Sequence, residues 1–260
     1  MKNIVISLTT ANQRREHIAQ EFGKHGIEFE FFDAVTIANL ANVANHLNLA
    51  VLNNTPNLAD GEKGCFLSHV SLWQKMIDDD LQVMAIFEDD VHLGKQAELF
   101  LTQDNWLNHK IGLLKIEHFA HEVALGNVTG DIHGRTIQPL LTANLGTAGY
   151  IIRQDTAKKL LDLLKNKTEQ EIVAIDHFMF KEVIDNQEIL VHQLNPALCI
   201  QSDRLDPATA LQSDLNDGRR QRMNQEKQHR TPMQKIKREL GRLFGKISQA
   251  SQKMQKMEFK

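Results

Sequence analysis

Apolar positions along this chain keep two rhythms, one of strands and one of helices. The run KNIVISL (2–8) is short and apolar, of strand length. From Asn12 the spacing lengthens, so that Phe22, Ile18 and His17 or Arg14 share one face of a helix that Gly23 and Gly26 stop. IEFEFFDAV (27–35) then alternates as a second strand ending at Asp33. Strand, helix, strand is the opening of a doubly wound nucleotide-binding unit. No GxGxxG follows the first strand, which removes the dinucleotide fingerprint.

The stretch 36–60, rich in Asn and Ala, predicts a short helix and a loop. GEKGCFLSHVSLWQKMIDDD (61–80) returns to helical spacing with Phe66, Val70, Trp73 and Ile77 on one side, and LQVMAIFEDDV (81–91) is a third strand. IGLLKIEHF (111–119) predicts another strand, and TAGYIIRQDTAKKLLDLLK (147–165) a strand running into a helix. EIVAIDHFMFKEV (171–183) predicts a helix starting near Asp176, and EILVHQLNPALCIQ (188–201) a late strand with a turn after it. No internal repeat is present. The fold class is α/β: a mixed sheet with a Rossmann-like nucleotide-binding half and helices on both faces.

The third strand carries the candidate chemistry. Leu81, Val83, Met84, Ala85, Ile86 and Phe87 read as buried on both faces, and Glu88, Asp89 and Asp90 stand at the carboxyl end, where ligands sit in open α/β sheets. Three adjacent carboxylates repel one another, and a cation among them relieves part of that cost. The run therefore predicts a metal site. Asp78, Asp79 and Asp80 form a similar run, but it follows the helical SLWQKMI and is assigned to a helix end in solvent.

Composition adds a boundary. With 260 residues, 42% of them hydrophobic, the chain can bury one large core, expected as a catalytic domain over 1–217 followed by a tail over 218–260. No apolar run approaches the roughly 18–20 residues that span a bilayer, and MKNIVISLTTANQRRE lacks a signal-peptide cleavage pattern, so a cytoplasmic location is expected. Cys65 and Cys199 form no CxxC pair and read as reduced, buried thiols. The net charge of −3 hides an asymmetry: 218–260 holds 13 Lys plus Arg against 3 Glu, and the remaining 217 residues hold 17 basic and 30 acidic side chains. Met233, Ile236, Leu240, Leu243, Phe244, Ile247 and Met254 recur at helical spacing among Lys235, Lys237, Arg238, Arg242 and Lys246, the pattern of an interfacial helix on an anionic membrane surface. A disordered solubilising tail and a dimerising helix are the other readings. Nucleic acid ranks below them, because the stripe carries one aromatic residue.

Other constellations argue against themselves. EHFAHE (117–122) is not HExxH, since its histidines are three apart and no Glu separates them as that motif requires. Neither GxSxG nor GxxxxGK[ST] occurs. A phosphatase of the haloacid-dehalogenase type places its acids after the first strand, whereas here that strand ends in Thr9 and Thr10. Gly146 and Gly149 in LGTAGYII fit tight packing and a ligand-facing wall equally. A metal-dependent hydrolase of a nucleotide-linked substrate and a non-enzymatic membrane-associated binding protein remain as competing classes.

The segments together resemble glycosyltransferase family 25, the bacterial lipooligosaccharide galactosyl- and glucosyltransferases. IVISLTTANQRREHI with EFFDAV, GEKGCFLSHVSLW, AIFEDDV, NLGTAGYII, IDHFMF and PALCIQ carry the likeness in order from Met1 to about Ser202. The resemblance implies a GT-A fold, a UDP-hexose donor, Mn²⁺ or Mg²⁺, inversion at the anomeric carbon, and a lipid-linked oligosaccharide acceptor. The basic amphipathic tail predicts peripheral attachment to the cytoplasmic face of the bacterial inner membrane, where a lipid-linked acceptor would be presented. The resemblance also implies that the acidic motif falls on Glu88, Asp89 and Asp90, the SH pair on Ser68 and His69, an N-terminal arginine on Arg14 or Arg15, and a late Asp on Asp176. The additional domain of the collagen galactosyltransferases is missing, which argues against a protein acceptor.

Chemistry is consistent with this. A hard, oxygen-ligated cation on both phosphates stabilises the departing UDP. Residues two apart in an extended segment point the same way, so Glu88 and Asp90 are the metal candidates, with Asp90 the first choice. Thr9, Thr10 and Arg14 are placed to meet uracil or phosphate, with Asp33, Ser68, His69 and Asp89 as further donor contacts. The base that accepts the acceptor's proton has to lie opposite UDP. Asp176 is the candidate, with Asp203 and Glu117 as fallbacks.

Overall fold

A computed structural model of the chain describes residues 1–206 and 253–260. In chain order the elements are β1 (Lys2–Ser7), α1 (Asn12–Lys24), β2 (Glu30–Asp33), α2 (Leu40–His46), α3 (Val51–Asn54), α4 (Asp60–Asp78), β3 (Val83–Glu88), β4 (Val91–Leu93) and α5 (Glu98–Leu101). Then come β5 (Leu113–Lys115), β6 (Glu117–His118), β7 (Glu122–Ala124), β8 (Gly130–Ile132), β9 (Arg135–Pro139), β10 (Gly149–Arg153) and α6 (Gln154–Lys165). The last are α7 (Ile175–His177), a π-helical turn (Phe178–Glu182), α8 (Val183–Asp185), β11 (Val191–Asn195), β12 (Cys199–Gln201), α9 (Ser202–Leu205) and β13 (Met254–Lys256).

Alternation explains why β1 and β3 lie deep. Ile4 and Ile6 join Met84 and Ile86 in the core on one face of the sheet, and Val5 joins Ala85 and Phe87 in the core on the other. The described residues build an eight-stranded mixed sheet in the order β2-β1-β3-β10-β5-β11-β9-β8. β1 runs parallel to β2 and to β3, with Ile4 opposite Glu30 and Ile86. β10 runs antiparallel to β3 and β5. On one face α4 contributes Phe66, Leu67, Val70, Trp73 and Met76, all fully buried. Each such side chain contributes about 1.5–3 kcal/mol. On the other face α1 contributes Ile18 and Phe22. Because β1 and β3 are parallel neighbours, Ser7 and the acids after Phe87 emerge at the same sheet edge.

The mixed α/β architecture with helices on both faces is the one the sequence predicts. The run 111–119 instead forms two strands in different sheets: β5 in the large sheet and β6 in a three-stranded sheet with β4 and β12. Residues 120–146, for which no element was predicted, hold β7 and the β8–β9 hairpin. That hairpin turns at His133 and Gly134, with φ of 50° and 74°, and three-residue strands carry too little period to be read. Cys65 and Cys199 are free thiols, but only Cys199 is buried, Cys65 being half-buried.

The tail is corrected at its end. Residues 218–252 lie outside the described residues. Met254, read as the last member of a helical stripe, is in β13, paired antiparallel with Ala124 of β7. Met257 is 2% exposed and joins the main core, and Phe259 bridges to Ala197. The final residues therefore belong to the folded body, since a strand edge and an apolar socket were available to receive them. Among the described residues no helix is long and apolar enough to cross a membrane.

Candidate active site

The edge where β1 and β3 end opens into a cleft of about 850 Å³, lined by the start of α1, by the chain after β2, by α4, and by Glu88 and Asp89. The three acids do not act alike. Asp89 turns toward β1, where the Ser7 hydroxyl donates to it at 2.6 Å and the Arg14 guanidinium pairs with it. Glu88 and Asp90 turn the other way, and both accept from Gln201 Nε2, at 3.3 Å and 3.4 Å. The extended segment stops at Glu88, and Asp89 and Asp90 form the turn after it, so that Glu88 and Asp89 line the cleft and Asp90 lies beside the lining.

Charge follows from these partners. Burial, then the neighbouring Glu88 charge, pushes the Asp90 carboxyl up to about 7, against the pull of Arg14 at 3.5 Å. Burial also pushes Glu88 up, but the His69 ring, the Thr147 hydroxyl at 2.7 Å and Arg14 outweigh it and hold Glu88 below the ordinary carboxylate range. Burial opposes the charge on Arg14 too, yet Asp90 and Asp89 hold it more firmly protonated. An N–H donor bridging two like-charged carboxylates, one of them forced toward its neutral form, marks a place where positive charge is favoured. Two carboxylates at such a place are a donor set that fits a hard divalent cation.

His69 is 1% exposed and sits under Glu88. Trp73 Nε1–H donates to the Tyr150 hydroxyl at 3.0 Å, and that hydroxyl meets His69 Nδ1 at 2.9 Å. The other ring nitrogen, Nε2, lies 3.7 Å from Glu88 Oε1 and makes no hydrogen bond. Cys65, His69 and Glu88 also bring ligand atoms within 4.8 Å of one another, a softer donor set that shares Glu88.

Other predicted residues land differently. Thr10 and Arg14 line the cleft, whereas Thr9 is exposed and does not. Asp33 is 67% exposed and paired with Arg15, outside the lining; the residues just after it, Ala34 to Ala38, form the wall instead. Arg15 also donates to the Ser7 and Leu8 carbonyls, so it fixes the end of β1. The Ser68 hydroxyl donates to the Gly64 carbonyl at 2.7 Å and accepts from Val35 N–H at 2.8 Å. It thereby ties α4 to the chain after β2, and it also lines the cleft beside His69. Asp176 is 8% exposed, off the lining, and accepts from His177 N–H at 2.8 Å and Gly146 N–H at 3.4 Å. Asp203 is exposed on α9.

Glu117 cannot reach an acceptor. It is fully buried, ion-paired with Lys115 at 2.6 Å, and covered by Gly146. Gly146 has φ +85°, and a Cβ there would come within 2.5 Å of the Glu117 carboxylate, so packing decides this glycine. Gln201, Thr147 and Ser7 were not singled out from sequence. Ser7 and Gln201 are ordinary polar residues at strand ends and Thr147 lies in the loop before β10, and only the fold brings the three to the acids.

The profile of glycosyltransferase family 25 (LPS biosynthesis protein) matches residues 1–179. The lipooligosaccharide biosynthesis protein lex-1 of Haemophilus influenzae is 32% identical, over 92% of this chain and 88% of its own. The lacto-N-neotetraose biosynthesis glycosyltransferase LgtB of Neisseria meningitidis serogroup B is 36% identical, over 97% of this chain and 95% of its own. Among solved structures, a glycosyltransferase involved in the glycosylation of the major capsid of PBCV-1 aligns over 78% of this chain and 94% of its own with a TM-score of 0.42 and 10% identity. Those two relatives, aligned over most of their own length, and the profile, which spans the helix α4 and the acids at the end of β3, agree: the chain belongs to glycosyltransferase family 25, the LPS biosynthesis glycosyltransferases.

Proposed function

We propose that this glycosyltransferase moves galactose or glucose from a UDP-sugar to a saccharide of lipooligosaccharide, with inversion, using Mn²⁺ or Mg²⁺ held by Glu88 and Asp90. The observation that carries the reading is the Gln201-bridged pair of carboxylates at the edge of the cleft. A bound cation there would neutralise the charge that develops on the departing diphosphate. Arg14, held between Asp89 and Asp90, sits where it can share that task. Thr10 and the backbone of Ala34–Ala38 offer contacts for the nucleoside. The relatives named for lipooligosaccharide and lacto-N-neotetraose biosynthesis support the acceptor class.

Asp176 is assigned as the base that takes the acceptor hydroxyl's proton. It lies off the nucleotide cleft and is linked through Gly146 to Thr147, the residue that holds Glu88. Displacement with inversion requires its base on the face away from the leaving group, and a carboxylate off the cleft lining is the one chosen for it. Asn replaces the carboxylate without removing its acceptor oxygen, so Asp176→Asn is expected to keep UDP affinity and melting temperature while kcat falls about 10²-fold. A kcat within a few-fold of wild type would move the role to Asp203.

Calorimetric titration of UDP tests the cation. Binding is expected to tighten markedly with Mn²⁺, and this gain should vanish in Asp90→Asn; equal UDP affinity with and without Mn²⁺ would overturn the metal reading. Peripheral attachment of residues 218–252 to the inner face of the cytoplasmic membrane completes the proposal. Deleting 218–252 internally is the suitable probe, because ending the chain at 217 also removes Met257 from the core. Equal pelleting of both proteins on anionic vesicles would rule it out.

A further inference from the structure

Behind the cleft, His17, Glu21 and His92 bring one ligand atom each to within 4.8 Å of one another. His17 and Glu21 are one turn apart on a single face of α1. His92 is the middle residue of β4, two after Asp90. His17 Nε2 meets the Val91 carbonyl at 2.8 Å, and His92 Nε2 meets the Ser202 hydroxyl at 3.1 Å. Each imidazole thus has one nitrogen engaged by an oxygen and one left over. That outer arrangement fixes the tautomer and aim of a metal-ligating histidine. The rings stand edge to face with centroids 4.6 Å apart, and His92 Nδ1 is 3.9 Å from Glu21 Oε2. Glu21 is 5% exposed, and its Oε1 accepts from Leu93 N–H at 2.9 Å. Its second oxygen is left for the histidines and for Lys24, 2.9 Å away.

We propose that His17, Glu21 and His92 form a zinc site that pins α1 to β4, with its fourth position open to water. Two imidazole nitrogens and one carboxylate oxygen suit Zn²⁺ rather than the hard cation assigned to Glu88 and Asp90. Tetrahedral zinc needs ligand atoms about 3.3 Å apart, so the three groups close in modestly and Lys24 leaves Glu21. Lys24 is 64% exposed and swings into solvent at little cost. The site gains meaning from its neighbours. Arg14 precedes His17 by one turn and Asp90 precedes His92 by two residues, so the ion would fix the separation of the two elements that hold Arg14 against the acids.

Metal-stripped full-length protein is titrated with Zn²⁺ against a chromophoric chelator, and separately with Co²⁺. One tight zinc equivalent is expected, raising the melting temperature. Its affinity should fall by more than about 100-fold in His17→Ala and in His92→Gln, beyond the 10–100-fold typical of losing an outer partner. Lys24→Gln should tighten it, and Asp90→Asn should leave it unchanged. The cobalt adduct should show tetrahedral visible bands without a thiolate charge-transfer band. A thiolate band that disappears in Cys65→Ser would put the ion at Cys65, His69 and Glu88 and overturn the assignment. So would affinity within about threefold of wild type in His92→Gln, or no zinc-induced stabilisation of the wild type. Circular dichroism of the metal-free variants separates lost binding from lost fold, and Lys24→Gln, altering an exposed side chain, reads the site even where a histidine variant fails to fold.

Discussion

Two acidic triplets lie ten residues apart, Asp78–Asp80 and Glu88–Asp90, and they have opposite fates. The first ends α4: its three residues are exposed, Asp78 accepts from Gln74 and Asp79 pairs with Lys75 one turn back. The second ends β3 between two cores, and its charges, half-buried or buried, meet Ser7, Arg14, Thr147 and Gln201. What feeds the run decides its chemistry. A helix end lets each carboxylate turn outward, whereas a strand buried on both faces delivers them to a fixed edge at low effective dielectric, where repulsion is strong.

The comparison breaks most visibly at Asp90. Asp90→Asn is expected to reduce transfer by about 10³-fold, as losing several kcal/mol of leaving-group stabilisation implies, while the melting temperature at pH 8 holds or rises because repulsion with Glu88 is relieved. Near-normal turnover at saturating Mn²⁺ would erase the distinction between the triplets.

A smaller effect sharpens it through pH. The folded value of Asp90, about 7, lies above its ordinary 3.8, so its contribution to stability is fully present below about pH 4 and is lost as pH rises through 7. Depressed carboxyls such as Glu21 and Glu88 act the other way, their contributions being lost as pH falls through their folded values. Between about pH 4.5 and 7 the metal-free protein should therefore lose stability in an Asp90-dependent manner. Chemical denaturation across that window should show a flatter profile in Asp90→Asn, and parallel profiles would deny the burial argument.

The smallest expected effect belongs to the control. Asp79→Asn removes an exposed pair with Lys75 at 2.6 Å, worth about 0.5 kcal/mol or less, and should leave kcat unchanged. A large kinetic effect there would mean that acid content, not the strand, defines the site.

Sequence legibility follows the same division. α1, α4 and α6 are readable because each carries a long helical period, β1, β3 and β10 because each is an unbroken apolar run, and the acids because a buried strand runs into them. The short strands of 120–146 are not, nor is the break of 111–119 into two sheets. Site partners divide similarly. Arg14, Ser68 and His69 all line the cleft, Asp33 stays exposed outside it, and Gln201 carries no signal in the sequence because it reaches the acids from more than a hundred residues away.

β13 has a mechanical consequence. Both flanks of 207–252 belong to the folded body: α9 ends a few residues beyond Gln201, and Met254 pairs on the edge of β7. Whatever 207–252 engages, it is held by two leads rather than one thread. A body hung from a surface by one thread can spin; hung from two, it keeps a heading. Severing the chain anywhere between those leads would leave 253–260 attached through strand pairing and the Met257 socket alone, and would free the domain to turn.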